Sequence, residues 1–165
     1  MAFGYQPPVD DLIRDLKYRG ITPNSRVLGV LLAQAVLDER AISLPRLLVP
    51  VPLHDARLRE RGFNQAAAIA RYAGRMLGIP LAPFVVKRVR DTPSQTSLSE
   101  AERHRNVRGA FAIRNARALR RLLDAGHVAV VDDVMTTGST LAEVKRVLLA
   151  AGVRRVDLWA VARVA

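Results

Sequence analysis

The sequence predicts an α/β fold in which a parallel sheet carries helices on both faces. Apolar segments of strand length alternate with helical patterns along the 165 residues. One segment, residues 128–131, is a continuous apolar run, as expected of a parallel strand that is buried on both faces. With 50% hydrophobic residues, the chain can bury the core of one domain, but it is too short for two ordinary domains. Ligands of such sheets bind beyond the carboxyl ends of the strands.

The expected elements alternate in type along the chain. Apolar residues at helical spacing from Val9 to Leu16, with Gly20 as a stop signal, predict the first helix. We expect further helices over residues 25–37, 64–77, 116–124 and 140–151. We expect strands over residues 47–53, 84–89, 111–113, 128–131 and 156–164. Residues 1–40 are expected to form a small N-terminal helical hood, and residues 45–165 the core.

The segment HVAVVDDVMTTGSTL, residues 127–141, carries the strongest functional signal. Two carboxylates, Asp132 and Asp133, are expected where the strand ends, and a hydroxyl-rich turn then opens a helix. The turn consists of Thr136, Thr137, Gly138, Ser139 and Thr140. A helix N-terminus presents unpaired N–H groups that hold phosphate, and ionised carboxylates accept hydrogen bonds from ribose hydroxyls. The alternative is a capping residue beside a solvated acidic pair. The combination favours a site for a ribose 5-phosphate.

The net charge of +11 is concentrated in one part of the chain. Residues 54–121 hold 15 Lys and Arg against 5 Asp and Glu. Arginine forks bind phosphate oxygens in pairs, so this clustering suits a ligand with further phosphate groups. Solvated arginines of a generally arginine-rich chain are the alternative for individual positions.

Other features exclude several classes of protein. The first twenty residues are too charged for a signal peptide or membrane anchor, so we expect a cytoplasmic protein without membrane insertion. The chain has no cysteine and three scattered histidines, so we expect no zinc and no protein-bound metal. Neither a Walker A loop nor a dinucleotide-binding glycine motif occurs.

The motif VAVVDDVMTTGST resembles the phosphoribosyl-pyrophosphate (PRPP) signature of type I phosphoribosyltransferases. LKYRG at 16–20, VPVPLH at 49–54 and RERGFNQ at 59–65 are similar to the ComF family, the competence-associated branch of these proteins. The resemblance covers nearly the whole chain. Members often carry a cysteine-rich zinc segment ahead of this domain, and the sequence lacks one.

The resemblance implies roles for three loops that meet at one edge of the sheet. Asp132 and Asp133 would bind the ribose, and residues 136–140 the 5-phosphate. The pyrophosphate would be bound by Arg57, Arg59, Arg61, Gly62 and Lys87. A mobile loop would carry Arg90, Thr92, Ser94, Gln95, Arg105 and Asn106. The alternative for the pyrophosphate-binding loop is an ordinary charged connection. The alternative for the mobile loop is a disordered insertion.

These observations predict a PRPP-binding phosphoribosyltransferase of ComF type. It would transfer the phosphoribosyl group to an unknown nitrogen acceptor, a nucleobase or an amine, and release pyrophosphate, with Mg²⁺ carried by PRPP. The alternative is a non-catalytic protein of the same fold that acts in DNA uptake by binding DNA or a protein of the competence machinery. Few aromatic side chains are available to stack on the bases of single-stranded DNA, because most of the candidates are expected in the core. The candidates are Phe63, Tyr72, Phe84 and Phe111.

Overall fold

The computed structural model describes residues 3–39, 43–91 and 107–164. The helices within these ranges are α1 (Val9–Tyr18), α2 (Asn24–Asp38), α3 (Asp55–Arg61), α4 (Gln65–Leu77), α5 (Ala116–Ala125) and α6 (Ser139–Ala150). The strands are β1 (Phe3–Gly4), β2 (Leu47–Pro50), β3 (Val86–Arg88), β4 (Phe111–Ile113), β5 (His127–Met135) and β6 (Arg155–Arg163).

Four strands form the main sheet in the order β1-β6-β5-β2, and all neighbours are parallel. The predicted α/β class and parallel sheet are therefore confirmed. The segments 84–89 and 111–113, expected as further strands, instead contribute β3 and β4 to a separate antiparallel pair. Strands β3 and β4 are each three residues long, which is too short for an apolar pattern to indicate whether the strands pair in parallel or antiparallel.

Helices cover the two faces of the sheet, and the residues of each strand alternate between them. Val128 and Val130 belong to the core beneath α5 and α6. Ala129 and Val131 belong to the core beneath α1, α2 and α4. Because β5 is buried on both sides, every position of its apolar run must be hydrophobic.

The two N-terminal helices pack directly against the sheet. Ile13 and Leu16 of α1 and Leu28 of α2 are fully buried in the same core as Ala129 and Val131. At Gly29 the backbone of α2 approaches α4 so closely that a Cβ atom would lie 2.7 Å from the Tyr72 Cβ. The role of residues 1–40 as a hood stays a prediction.

Two elements near the predicted site differ from expectation. Strand β5 continues through Asp132 and Asp133 to Met135, because β6 stays paired with it as far as Arg163. The loop expected after β2 contains helix α3, which has no buried residue and therefore no apolar pattern that could predict it. The strand predicted over residues 47–53 ends at Pro50, as the missing N–H groups of Pro50 and Pro52 favour.

One aromatic residue is not where the sequence suggested. Phe84 is 67% exposed, whereas Phe111 is buried as expected. The run from Phe84 to Val86 is apolar throughout, so the hydrophobic pattern alone could not identify the exposed position.

Candidate phosphoribosyl site

The turn between β5 and α6 forms a small cradle. Gly138 adopts a left-handed conformation with φ of 77°, and α6 begins at the next residue. A cavity of about 30 Å³ lies here, lined by Asp132, Met135, Thr136 and residues 138–140 among others. A Cβ atom on Gly138 would lie 3.4 Å from the Met135 sulfur, so glycine suits both the conformation and the space. The first-turn N–H groups of a 12-residue helix suit a phosphate in this cavity.

The two adjacent carboxylates lie on opposite sides of β5. Asp132 is half-buried and lines the cradle cavity. Asp133 is 3% exposed, and Lys17 of α1 places its Nζ 2.6 Å from Asp133 Oδ2. This contact is an ion pair rather than a well-aligned hydrogen bond, because Oδ2 has no hydrogen-bond partner of acceptable geometry among the described residues. Sequence reasoning placed both carboxylates on the ribose; the geometry brings only Asp132 to the cavity.

The Lys17–Asp133 pair also sets the charge around the cradle. Burial raises the pKa of Asp132 well above its ordinary value, and the negative charge of Asp133 raises it further. Burial alone would lower the pKa of Lys17, but the contact with Asp133 and the charge of Asp132 together outweigh burial, so the pKa is raised. Lys17 therefore stays protonated beside Asp133. Ionisation of Asp132 is therefore unfavourable in the folded protein. Hydrogen bonds from the hydroxyls of a bound sugar would stabilise the ionised form.

Arg88 is the residue on the pyrophosphate side that sequence reasoning missed. Strand alternation turns Lys87 outward, where it is exposed, and turns Arg88 inward, with its guanidinium 5.5 Å from the Phe111 ring centre. Burial lowers the pKa of Arg88 and so does the charge of Arg57, while Asp132 acts in the opposite direction. Arg88 therefore lies within electrostatic reach of both Arg57 and Asp132. The alternation of Val86 and Arg88 on one side of β3 is the signal that could have found it.

Helix α3 separates the three arginines predicted to bind pyrophosphate. Arg57 and Arg61 lie one turn apart on one side, and Arg59 lies on the other, exposed side. Arg61 donates to Gln65 Oε1 at 2.7 Å. Gly62 ends the helix in a left-handed conformation with φ of 79°. The structure thus brings Arg57 towards Arg88. Arg59 lies on the other side of α3, and the side chain of Lys87 lies on the other side of β3.

Most of the predicted mobile loop lies outside the described residues, including Thr92, Ser94, Gln95, Arg105 and Asn106. Its two described ends are tied together, because Arg90 Nη1 donates to the backbone oxygen of Arg108 at 2.9 Å. Glu143 of α6 ties the returning end to the cradle helix. Glu143 Oε1 accepts from the Gly109 N–H at 2.8 Å, and Arg146 binds both carboxylate oxygens. Sequence reasoning gave no role to Glu143, which is only 8% exposed.

Two further properties concern the described part of the chain only. Within residues 3–39, 43–91 and 107–164, no group of three His, Asp or Glu side chains is arranged to hold a metal ion. None of the helices in these ranges has the length and apolar character that crossing a bilayer requires.

Comparisons with known proteins agree with this architecture. The family of the phosphoribosyl transferase domain matches residues 58–165. Competence protein F of Haemophilus influenzae is 38% identical over 165 residues, which cover 96% of this chain and 69% of that protein. DNA utilization protein YhgH of Escherichia coli K12 is 36% identical over 162 residues, with the same shares covered. The chain therefore belongs to the phosphoribosyl transferase domain family and, within it, to the ComF family.

Proposed function

We propose that the protein binds PRPP and transfers its phosphoribosyl group to a nitrogen acceptor. The observation that carries the proposal is the shared cavity of Asp132 and the start of α6 at the carboxyl end of β5. One short segment thereby offers carboxylate oxygens for ribose hydroxyls and helix N–H groups for a 5-phosphate. Family membership supports the same assignment.

The proposed reaction replaces one bond at the anomeric carbon of the ribose. The acceptor nitrogen forms a bond to C1, the bond from C1 to the pyrophosphate oxygen breaks, and the acceptor nitrogen loses a proton. Pyrophosphate leaves with the electron pair and with the Mg²⁺ that PRPP carries. Positive charge develops on the ring in the transition state, so catalysis depends mainly on positioning and charge stabilisation.

The described residues divide this work between two regions. Asp132, Thr136 and residues 138–140 would hold the sugar phosphate. The Thr137 hydroxyl does not line the cavity and is hydrogen-bonded to the Ser139 hydroxyl beside it. Arg57 and Arg88, at the other side of the site, would stabilise the charge that accumulates on pyrophosphate. Lys17 would act as a positioning residue, because it holds Asp133 and leaves Asp132 as the carboxylate that faces the cavity.

Thermal unfolding with PRPP and MgCl₂ tests binding. We expect millimolar PRPP to raise the melting temperature, and Asp132→Asn to remove the shift. Asp124→Asn, an exposed position on α5, is the matched control and should keep the shift. An unchanged melting temperature of the unaltered protein would refute the proposal. A screen of bases and amines for PRPP-dependent pyrophosphate release would then identify the acceptor.

A second candidate function, contact with DNA, is favoured by one surface. Arg117, Arg120 and Arg121 are exposed on α5, beside the exposed Phe84 and the Arg114 guanidinium 5.7 Å from its ring centre. Arginine and an open aromatic ring are what single strands contact. Two relatives bear names that refer to competence and DNA utilization. Anisotropy of a labelled oligonucleotide at two salt concentrations tests this function: binding should weaken steeply with salt, and absence of binding at low salt would exclude it.

A further inference from the structure

A second, larger concavity lies beyond strand β2, away from β5. This side groove has a volume of about 790 Å³ and runs between the start of α2, helices α3 and α4, and strand β3. Among the described residues, its charged lining consists of Arg26, Arg71, Lys87, Arg88, Arg114 and a single carboxylate, Asp55. It shares no lining residue with the cradle cavity. The side groove is thus a separate concavity with a strong excess of positive charge.

One wall of the side groove is helical. Arg26 of α2 and Arg71 of α4 both line this wall, where α2 and α4 approach closely at Gly29. Within the described ranges, no Asp or Glu oxygen lies within 4.0 Å of either guanidinium. An anion bound in the groove would therefore be attracted by both guanidinium groups without competition from an ion pair.

The opposite wall comes from the antiparallel pair β3 and β4. Lys87 lies on β3, and Arg114 directly follows β4, where its N–H donates to the Val85 oxygen at 2.9 Å. The Arg114 guanidinium lies over the exposed ring of Phe84. Cations therefore face the groove from both walls.

The floor between these walls is apolar and partly aromatic. Leu53, Leu81 and Val86 line it, together with Phe63 and Tyr72. Aromatic faces bind planar rings by stacking, and arginine forks bind phosphate oxygens in pairs. The volume lies within the range of about 300–1,000 Å³ that is typical of small-molecule sites.

We propose that the side groove binds a free nucleoside phosphate, with the base against the aromatic floor and the phosphate between arginines of the two walls. A planar ring joined to a compact anion is the ligand class that matches both the aromatic residues and the charge excess. A neutral base would leave the arginines uncompensated, and inorganic phosphate would leave the apolar floor open to water.

The position of the side groove indicates a second ligand rather than the acceptor of the proposed transfer. The groove adjoins α3 and Arg88, where the proposed function places pyrophosphate. A nucleophile that displaces pyrophosphate must approach C1 from the side opposite to the leaving group. A ligand in the side groove would therefore lie beside the pyrophosphate rather than in the path of the nucleophile.

The experiment measures fluorescence anisotropy of mant-AMP, a mononucleotide labelled on its ribose, with the full chain at low salt. The titration is repeated with saturating PRPP and Mg²⁺, and with Gly138→Val, which fills the cradle. Arg71→Glu changes the groove, and Arg46→Glu makes the same charge change at an exposed residue that does not line the groove. Circular dichroism checks that each variant is folded.

We expect saturable binding that persists with PRPP and in Gly138→Val, and that weakens about tenfold or more in Arg71→Glu but not in Arg46→Glu. Equal weakening by both arginine variants would mean general attraction to a basic protein and would overturn the proposal. Displacement by PRPP together with loss in Gly138→Val would mean that the nucleotide binds the cradle only. A short oligonucleotide that competes far better than AMP would assign the groove to nucleic acid instead. If PRPP itself fails to bind, the proposed function fails, but the comparison of the two arginine variants still tests the nucleotide site in the groove.

Discussion

The cradle and the pyrophosphate side of the candidate site are built in different ways. The cradle comes from one continuous segment, from Asp132 to Thr140, at the junction of β5 and α6. The pyrophosphate side brings together Arg57 of α3 and Arg88 of β3, which come from different elements. A site within one segment can be located from its sequence, whereas a site assembled from separate elements requires the orientation of each element.

The largest expected effect concerns the cradle. Gly138→Val should abolish the PRPP-dependent shift in melting temperature, because a β-branched residue at φ of 77° is strained and its side chain would enter the cradle. Gly20→Val is the matched control, since Gly20 also has a positive φ of 65° but has open space around it. It should lower stability and keep the shift. A retained shift in Gly138→Val would place the 5-phosphate elsewhere.

The second effect tests whether the cradle depends on the first helix. Lys17→Met leaves Asp133 buried without its cation and should cost about 2–3 kcal/mol of unfolding free energy, less than the ~3–5 for a fully buried pair because Lys17 is partly exposed. Urea unfolding measures the loss. Lys145→Met, on α6 and without an ion pair to the described residues, should change stability by less than about 0.5 kcal/mol. Similar losses in the two variants would remove the special role of Lys17.

The third effect sharpens the description of the pyrophosphate side. Arg88→Met should weaken pyrophosphate binding about tenfold, since a charge-assisted contact is lost, and Lys87→Met should weaken it by less than about threefold. Isothermal titration calorimetry with magnesium pyrophosphate compares the two. The reverse order would restore Lys87, the residue chosen from the sequence, and would show that β3 rotates when ligand binds.

The smallest effect is a pH dependence from Asp132. Because its pKa is raised in the folded state, the folded protein binds the proton more tightly than the unfolded chain does. Stability should therefore fall as pH rises from the ordinary aspartate value through the raised one. Asp132→Asn should lack this decline and be more stable than the unaltered protein at neutral pH, without ligand. Parallel stability curves in urea across pH 4–8 would contradict the assignment.

The sequence predicted features that depend on neighbouring residues better than features that depend on separate elements. The alternating pattern predicted the sheet class, and the Asp132–Thr140 segment predicted the cradle, because both depend on neighbouring residues. The pattern could not separate Asp132 from Asp133, since it ended the strand before them, and Lys17, the partner of Asp133, lies more than a hundred positions earlier. The pattern could not predict helix α3, because this helix has no buried residue. It also could not decide between Lys87 and Arg88, because their orientation depends on the pairing of β3 with β4.

The pairing of β1 with β6 has a consequence for the order of folding. Phe3 lies opposite Ala162, so two strands that are far apart in the sequence pair with each other. Contacts between such distant positions form late and slow the folding of a chain. Lys17, in the helix that follows β1, therefore reaches Asp133 only once most of the chain is available. During synthesis Lys17 is made long before its partner Asp133, and the ribose side of the site would therefore be completed late in folding.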